Sequence, residues 1–210
     1  MKTSGDLWAI LLAAGEGTRF GGLKHDADLE GHPLWIHGER ALRAASVDEV
    51  VIVGDVPGGV AGGLRRRDSV ASGLEHVPSG VDFVLVHDAA RPLAAPTLIE
   101  RVIDRLRVGD VAGVIPAIPI RDTVKQTDGD VVTETMDRSS LVAVQTPQGF
   151  VLSVLRKAHA AVDGDATDDS VLVEALGERV VTVPGDPENL KITYPEDLDL
   201  ARLLRSGGHG

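Results

Sequence analysis

The chain has 210 residues, of which 43% are hydrophobic and 25% charged, a balance that excludes a disordered protein. A formal net charge of -11 argues against broad nucleic-acid binding, which needs clustered Lys and Arg. With no cysteine, disulfides and thiolate metal sites are excluded.

The length suits one domain, 1–210, and at 3% aromatics the core must be built from Val, Leu, Ile and Ala. That palette fits a parallel sheet covered by helices. Leu7-Trp8-Ala9-Ile10-Leu11-Leu12 reads as a buried strand, followed by a glycine-rich loop to about Lys24. The apolar run 7–14 is too short to span a bilayer and has no basic leader, so the expectation is a cytoplasmic protein with no membrane partner. A helix is expected over 33–45 with Pro33 in its first turn, then a strand over 50–53 and a Gly- and Pro-rich loop over 54–63. A helix over 68–76 precedes a strand over 83–86 that ends at His87-Asp88. Leu98, Ile99, Val102, Ile103 and Leu106 share one face of a helix expected over 96–106. A strand over 111–118 leads into a stretch that breaks the pattern, where Asp128-Gly129-Asp130 before Val131-Val132-Thr133 marks a β-hairpin arm at about 121–145. Helices over 150–162, 168–176 and 195–204 and short strands over 180–183 and 190–193 complete the chain, with a frayed tail from Ser206 to Gly210. Strands alternating with helices imply a Rossmann-like α/β domain, with ligands beyond the carboxyl ends of a mostly parallel sheet.

Two constellations carry chemistry. In the loop Ala13-Ala14-Gly15-Glu16-Gly17-Thr18-Arg19, Gly15 and Gly17 allow close backbone approach to an anion, and Arg19 and Lys24 add fixed positive charge. The same residues also suit an ordinary turn with two solvated cations. Neither a dinucleotide fingerprint nor P-loop spacing fits. In His87-Asp88-Ala89-Ala90-Arg91-Pro92, Asp88 lies just past a buried strand, where a carboxylate can hold Mg2+ against triphosphate oxygens or cap the following turn. Arg91 can neutralise phosphate or pair with an acid, and His87 reads as a packing or hydrogen-bonding residue.

The sequence resembles the IspD family, the 2-C-methyl-D-erythritol 4-phosphate cytidylyltransferases of the non-mevalonate isoprenoid route. The matching segments run in order: Leu12-Ala13-Ala14-Gly15 with Arg19 and Lys24, Arg66-Arg67-Asp68-Ser69-Val70, His87-Asp88-Ala89-Ala90-Arg91-Pro92, Arg121-Asp122-Thr123-Val124-Lys125, Asp137-Arg138, Gln145-Thr146-Pro147-Gln148-Gly149-Phe150, Thr167-Asp168-Asp169 and Asn189-Leu190-Lys191-Ile192-Thr193. The resemblance implies a nucleotidyltransferase in which an acceptor phosphate attacks the α-phosphorus of CTP and releases pyrophosphate. Carried over, Arg19, Lys24 and Lys191 stabilise charge on the triphosphate, and Asp88 is the Mg2+ ligand. Ala13, Ala14, Gly15, Gly17, Gly63 and Ser69 form the nucleotide site. Arg91, Thr123, Arg138 and Thr146 bind a sugar-alcohol phosphate. The arm crosses to a second subunit of a homodimer, so that Thr123 completes the partner's site.

Three departures stand out. Only Phe20-Gly21-Gly22-Leu23 separates Arg19 from Lys24, a spacing closer to molybdopterin-type guanylyltransferases. His25-Asp26-Ala27-Asp28 follows the lysine where the family carries Gln and apolar residues, and its acids are expected to point outward. The loop 54–63 is short, and Leu64 stands where the family often has an acid near the base. A cytidylyltransferase for ribitol 5-phosphate, a guanylyltransferase and a catalytically weak nucleotide-binding module remain alternatives.

Overall fold

The structure is a computed structural model that describes residues 5–15, 20, 22, 24–162, 164, 166 and 168–207. The expectations for Gly17 and Arg19 fall outside these residues, and Lys24 is described by its backbone alone.

Strand β1 (Leu7–Leu12) is followed, after a 3-10 turn at Lys24–Asp26, by a two-residue hairpin, β2 (Asp28–Leu29) and β3 (His32–Pro33). Helix α1 (Leu34–Ala44) then begins one residue after Pro33, which is its N-cap rather than its first turn. Next come β4 (Glu49–Val53), α2 (Arg66–Glu75), β5 (Phe83–Asp88), α3 (Pro96–Leu106) and β6 (Gly113–Pro119). The arm is β7 (Lys125–Asp128) paired antiparallel with β8 (Val131–Thr135), and β9 (Val142–Val144) returns the chain to the sheet beside β6. The last elements are β10 (Gln148–Val151), α4 (Leu152–Ala161), α5 (Asp169–Ala175), β11 (Val180–Pro184) and α6 (Pro195–Gly207).

The sheet runs β11-β6-β10-β5-β1-β4. In it β4, β1, β5, β6 and β11 are parallel, while β10 and β9 run against them. Period-two alternation assigns the two faces. Leu7, Ala9 and Leu11 of β1 pack with α1 and α3 through Trp35, Leu42, Ile99, Val102 and Ile103. Ile10, with Val84 and Val86 of β5, packs with Val70, Leu74, Leu155 and Leu172 on α2, α4 and α5. The architecture is the α/β, mostly parallel sheet with helices on both faces that the sequence implies.

Two further expectations are corrected. Phe150 and Val151, read as the start of a helix, are in β10, where Phe150 is fully buried between β5 and β6. Residues 190–193 form no strand. Ile192 is instead buried with Leu29, Leu34, Leu198 and Ala201, a small third cluster that seats α6 and the β2–β3 hairpin beside the loop carrying Lys191. His37 Nε2 donates to the Leu29 carbonyl at 2.8 Å, anchoring that hairpin to α1.

Candidate active site

Beyond the carboxyl ends of β1 and β5 lies a cavity of about 430 Å³, lined by Ala13, Ala14, Gly15, Gly63, Ser69, Asp88 and Lys191 among others. Backbone bonds shape one wall. The Ala13 N–H donates to the Val53 carbonyl at 2.7 Å. Gly54 adopts φ +154°, and a Cβ there would lie 2.7 Å from the Ala13 carbonyl carbon, so only glycine lets the end of β4 close on the loop after β1. A Cβ on Gly15 would meet nothing within 4 Å, so that residue borders open cavity space. The far wall is the lead-in to α2. The Gly63 N–H donates to Ser69 Oγ at 3.1 Å, which ties the glycine loop to the helix. Val60 extends the β4 ladder, its N–H donating to the Ile52 carbonyl at 2.8 Å, so the short 54–63 loop is a compact turn. Asp26 and Asp28 both face outward. His25, beside Asp26, is buried against the cavity.

A second cavity of about 300 Å³ adjoins the first and shares Arg66, Asp88 and Lys191 with it. Arg91, Gln145, Thr146, Gln148 and Asp168 also line it. Asp88 therefore sits where the two spaces meet. Its Oδ2 accepts from Lys191 Nζ at 2.7 Å, and its Oδ1 from Arg66 Nε at 3.2 Å. Burial pushes the Asp88 pKa up, but Arg66, Lys191 and Arg91 together hold the carboxyl well below the usual range. Asp88 is thus ionised and caps no helix.

The antiparallel direction of β10 brings its lead-in to this same edge. The Asp88 N–H donates to Thr146 Oγ1 at 3.0 Å. His87 Nε2 faces the Arg91 carbonyl at 3.3 Å and so carries the ring proton, and Thr146 Oγ1 donates to Nδ1 at 3.0 Å. Burial lowers the His87 pKa to about 4, against a smaller opposing effect of Asp88, keeping the imidazole neutral. Arg91 donates from Nη1 to the Asn189 carbonyl at 2.7 Å and from Nη2 to the Val144 carbonyl at 3.3 Å. Gln145 Nε2 donates to the Asp186 carbonyl at 2.7 Å, and Asn189 Nδ2 to the Thr146 carbonyl at 2.9 Å. Together these bonds strap the 186–191 loop, and hence Lys191, onto the lead-in to β10.

Thr123 and Arg138 line neither cavity. Thr123 is exposed at the base of the arm, and Arg138 Nη1 donates to the Arg121 carbonyl beside a separate groove. Sequence reasoning singled out no role for Arg66, Asp169, His159, Gln145 or Asn189. Three successive arginines, Arg65, Arg66 and Arg67, look alike in sequence. Their first bonds differ: Arg65 pairs with Asp68 on its own helix, Arg67 donates to the Gly164 and His159 carbonyls, and Arg66 alone bridges Asp88 and Asp169.

The fold thus places beyond its strand ends a cavity that meets a second at an acid flanked by cations, an arrangement that suits nucleotidyl transfer. The comparisons with known proteins are more specific. The family model described as "IspD: 2-C-methyl-D-erythritol 4-phosphate cytidylyltransferase" matches residues 7–205, and the chain belongs to that family. A 2-C-methyl-D-erythritol 4-phosphate cytidylyltransferase of Rhodococcus jostii (strain RHA1) is 47% identical, with 98% of each chain covered. The "Bifunctional enzyme IspD/IspF" of Solidesulfovibrio magneticus is also 47% identical, and the match covers 91% of this chain and 55% of that longer protein. A crystal structure of 2-C-methyl-D-erythritol 4-phosphate cytidylyltransferase from Thermus thermophilus superposes with a TM-score of 0.81 at 32% identity, covering 98% of this chain and 100% of that one.

Proposed function

We propose that the whole chain acts as one domain that transfers the cytidylyl group of CTP to 2-C-methyl-D-erythritol 4-phosphate. The products are 4-diphosphocytidyl-2-C-methyl-D-erythritol and pyrophosphate, in the cytoplasmic, non-mevalonate synthesis of isoprenoids. The observation that carries this reading is the meeting of two cavities at Asp88 and Lys191. A nucleotide in the larger and a phosphate in the smaller would present their reacting atoms to the same cation. An oxygen of the acceptor phosphate forms a bond to the α-phosphorus, and the bond from that phosphorus to the oxygen bridging it to the β-phosphorus breaks, so that this oxygen leaves as a terminal oxygen of pyrophosphate. The attacking oxygen is already an anion, so no general base is required. Lys191, with Arg19 and Lys24, offsets the negative charge that redistributes at the α-phosphate. Ala13, Ala14, Gly15, Gly17, Gly63 and Ser69 hold the cytidine end, largely through backbone groups.

Asp88 suits Mg2+ delivered with the triphosphate. Among the described residues no group of three or more acids or histidines is placed to hold a metal alone. A single ionised carboxylate beside phosphate oxygens is nevertheless a common Mg2+ arrangement. When bound there, Mg2+ would neutralise triphosphate oxygens and orient them. Arg91 and Thr146 form the acceptor wall within the chain. Thr123 and Arg138, which lie outside both cavities, complete the acceptor site of a second copy in a homodimer joined through the arm.

Pyrophosphate release is expected to require CTP, Mg2+ and the acceptor together. Equal rates with GTP would overturn the base assignment, and faster turnover of ribitol 5-phosphate would overturn the acceptor.

A further inference from the structure

The two carboxylate oxygens of Asp88 have unlike surroundings. Oδ2 is bonded to Lys191, whose side chain is 42% exposed. Oδ1 is bonded to Arg66, and that arginine is itself fixed from behind. Its Nη1 donates to Asp169 Oδ2 at 2.7 Å, and Asp169 is only 1% exposed. His159 Nε2 donates to the other oxygen of Asp169 at 2.9 Å. Arg66 begins α2, His159 is on α4 and Asp169 begins α5, so three helices on one face of the sheet converge behind Asp88. A buried carboxylate and its partners often leave a fold no more stable than an apolar cluster would. Its neighbours Leu172 and Val173 already pack α5 against the sheet. What the buried acid adds is direction. A guanidinium held at Nε and Nη1 has its plane fixed, whereas a lysine on a flexible stem is a point charge that can exchange partners.

We infer that Asp169, clamped by His159, is a positioning residue for the transfer reaction: it fixes the Arg66 fork, Arg66 fixes Asp88 Oδ1, and Oδ2 is left to be shared between Lys191 and a divalent cation. The inference rests on the cytidylyl-transfer reading and deepens it. It divides the two cations bonded to Asp88 into one that is immobile and one that is free to turn to the phosphates.

The test compares wild type with Asp169→Asn, His159→Ala, His159→Gln and Arg66→Lys. Four quantities are read: kcat, KM for each substrate, Mn2+ binding in the presence of CTP without acceptor, followed by electron paramagnetic resonance, and the melting temperature. Asp169→Asn is expected to lower kcat by about 10- to 100-fold and to weaken Mn2+ binding about tenfold, with KM for CTP within about threefold of wild type. His159→Gln, which keeps a donor toward Asp169, is expected to retain most of the activity that His159→Ala loses. If Asp169→Asn lowers only the melting temperature and the folded fraction, leaving kcat per folded site and Mn2+ binding intact, the positioning role is overturned. Arg66→Lys keeps the charge and loses the fork, so it carries the same test should Asp169→Asn fail to fold, and unchanged Mn2+ binding there overturns the inference. A wild-type chain that is silent with CTP and acceptor yet follows the expected Mn2+ pattern would overturn the assigned reaction and not the positioning.

Discussion

Around Asp88 the polar side chains are bonded to one another within the chain, from Lys191 through Arg66 to Asp169 and His159, and from Thr146 to His87. The arm is built the other way. Every residue of β7 and β8 is exposed, and Val131 and Val132 remain 62% and 55% accessible. It is held by its own ladder and by local bonds such as Lys125 Nζ to Thr135 Oγ1 at 2.5 Å. A two-stranded hairpin alone is marginal in water. The bonds around Asp88 close within one chain, whereas the arm carries exposed apolar surface, and Thr123 and Arg138, the two expected acceptor residues, lie outside both cavities.

The sharpest way to break this contrast is at the pocket. Lys191→Ala is expected to lower kcat by about 10²–10³, the usual effect of removing one donor to developing charge. Its side chain is 42% exposed, so the melting temperature is expected to move little. Activity and stability falling in proportion would make Lys191 structural.

A second test uses pH. Burial lowers the His87 pKa to about 4, while an unfolded imidazole titrates near 6.5. Between those values the unfolded chain binds more protons than the folded one. Stability from neutral His87 is therefore complete above about pH 6.5 and is lost as pH falls toward 4, by at most about 3 kcal/mol. Below that window the depressed pKa of Asp88 continues the loss as its ion pairs are protonated. Urea midpoints across pH measure the slope, and His87→Gln is expected to flatten it between 6.5 and 4. An unchanged slope would assign the titration to another group.

The arm is tested by mixing. Lys191→Ala and Arg138→Ala chains, each impaired alone, are expected to recover roughly a quarter of wild-type activity when co-refolded in equal amounts, because half the two-fold dimers then hold one intact site. No recovery would place Arg138 in its own chain's site or outside the chemistry. The smallest effect is expected at Val131→Thr, within about 0.5 kcal/mol for the chain as a monomer. A loss that grows on dilution would report burial of Val131 between copies.

Much of the fold was legible because the strands and helices repeat with different periods. Helix α3 falls at Pro96–Leu106, where its apolar face implied it. Strand β10 was not legible, since Phe150-Val151 runs without a break into the apolar pattern of α4 and nothing local marks the junction. Residues 190–193 have strand-like composition, but Ile192 is buried against Leu29 and Leu34 instead of a strand neighbour. In the site, Asp88 and Lys191 meet although 103 residues separate them, a pairing that no local pattern encodes. The order of motifs pointed to both residues. Arg66 was hidden because its role depends on which of three adjacent arginines faces the sheet edge.

The strap that seats Lys191 has a consequence for anyone wishing to recut the acceptor cavity. Gln145 and Thr146 line that cavity, and they are also anchor points of the 186–191 loop. Reshaping the proposed sugar-alcohol side would tug on Lys191, the lysine proposed to face the nucleotide. A variant selected for a new acceptor is thus expected to need a compensating change near Asp186 or Asn189 before its turnover recovers.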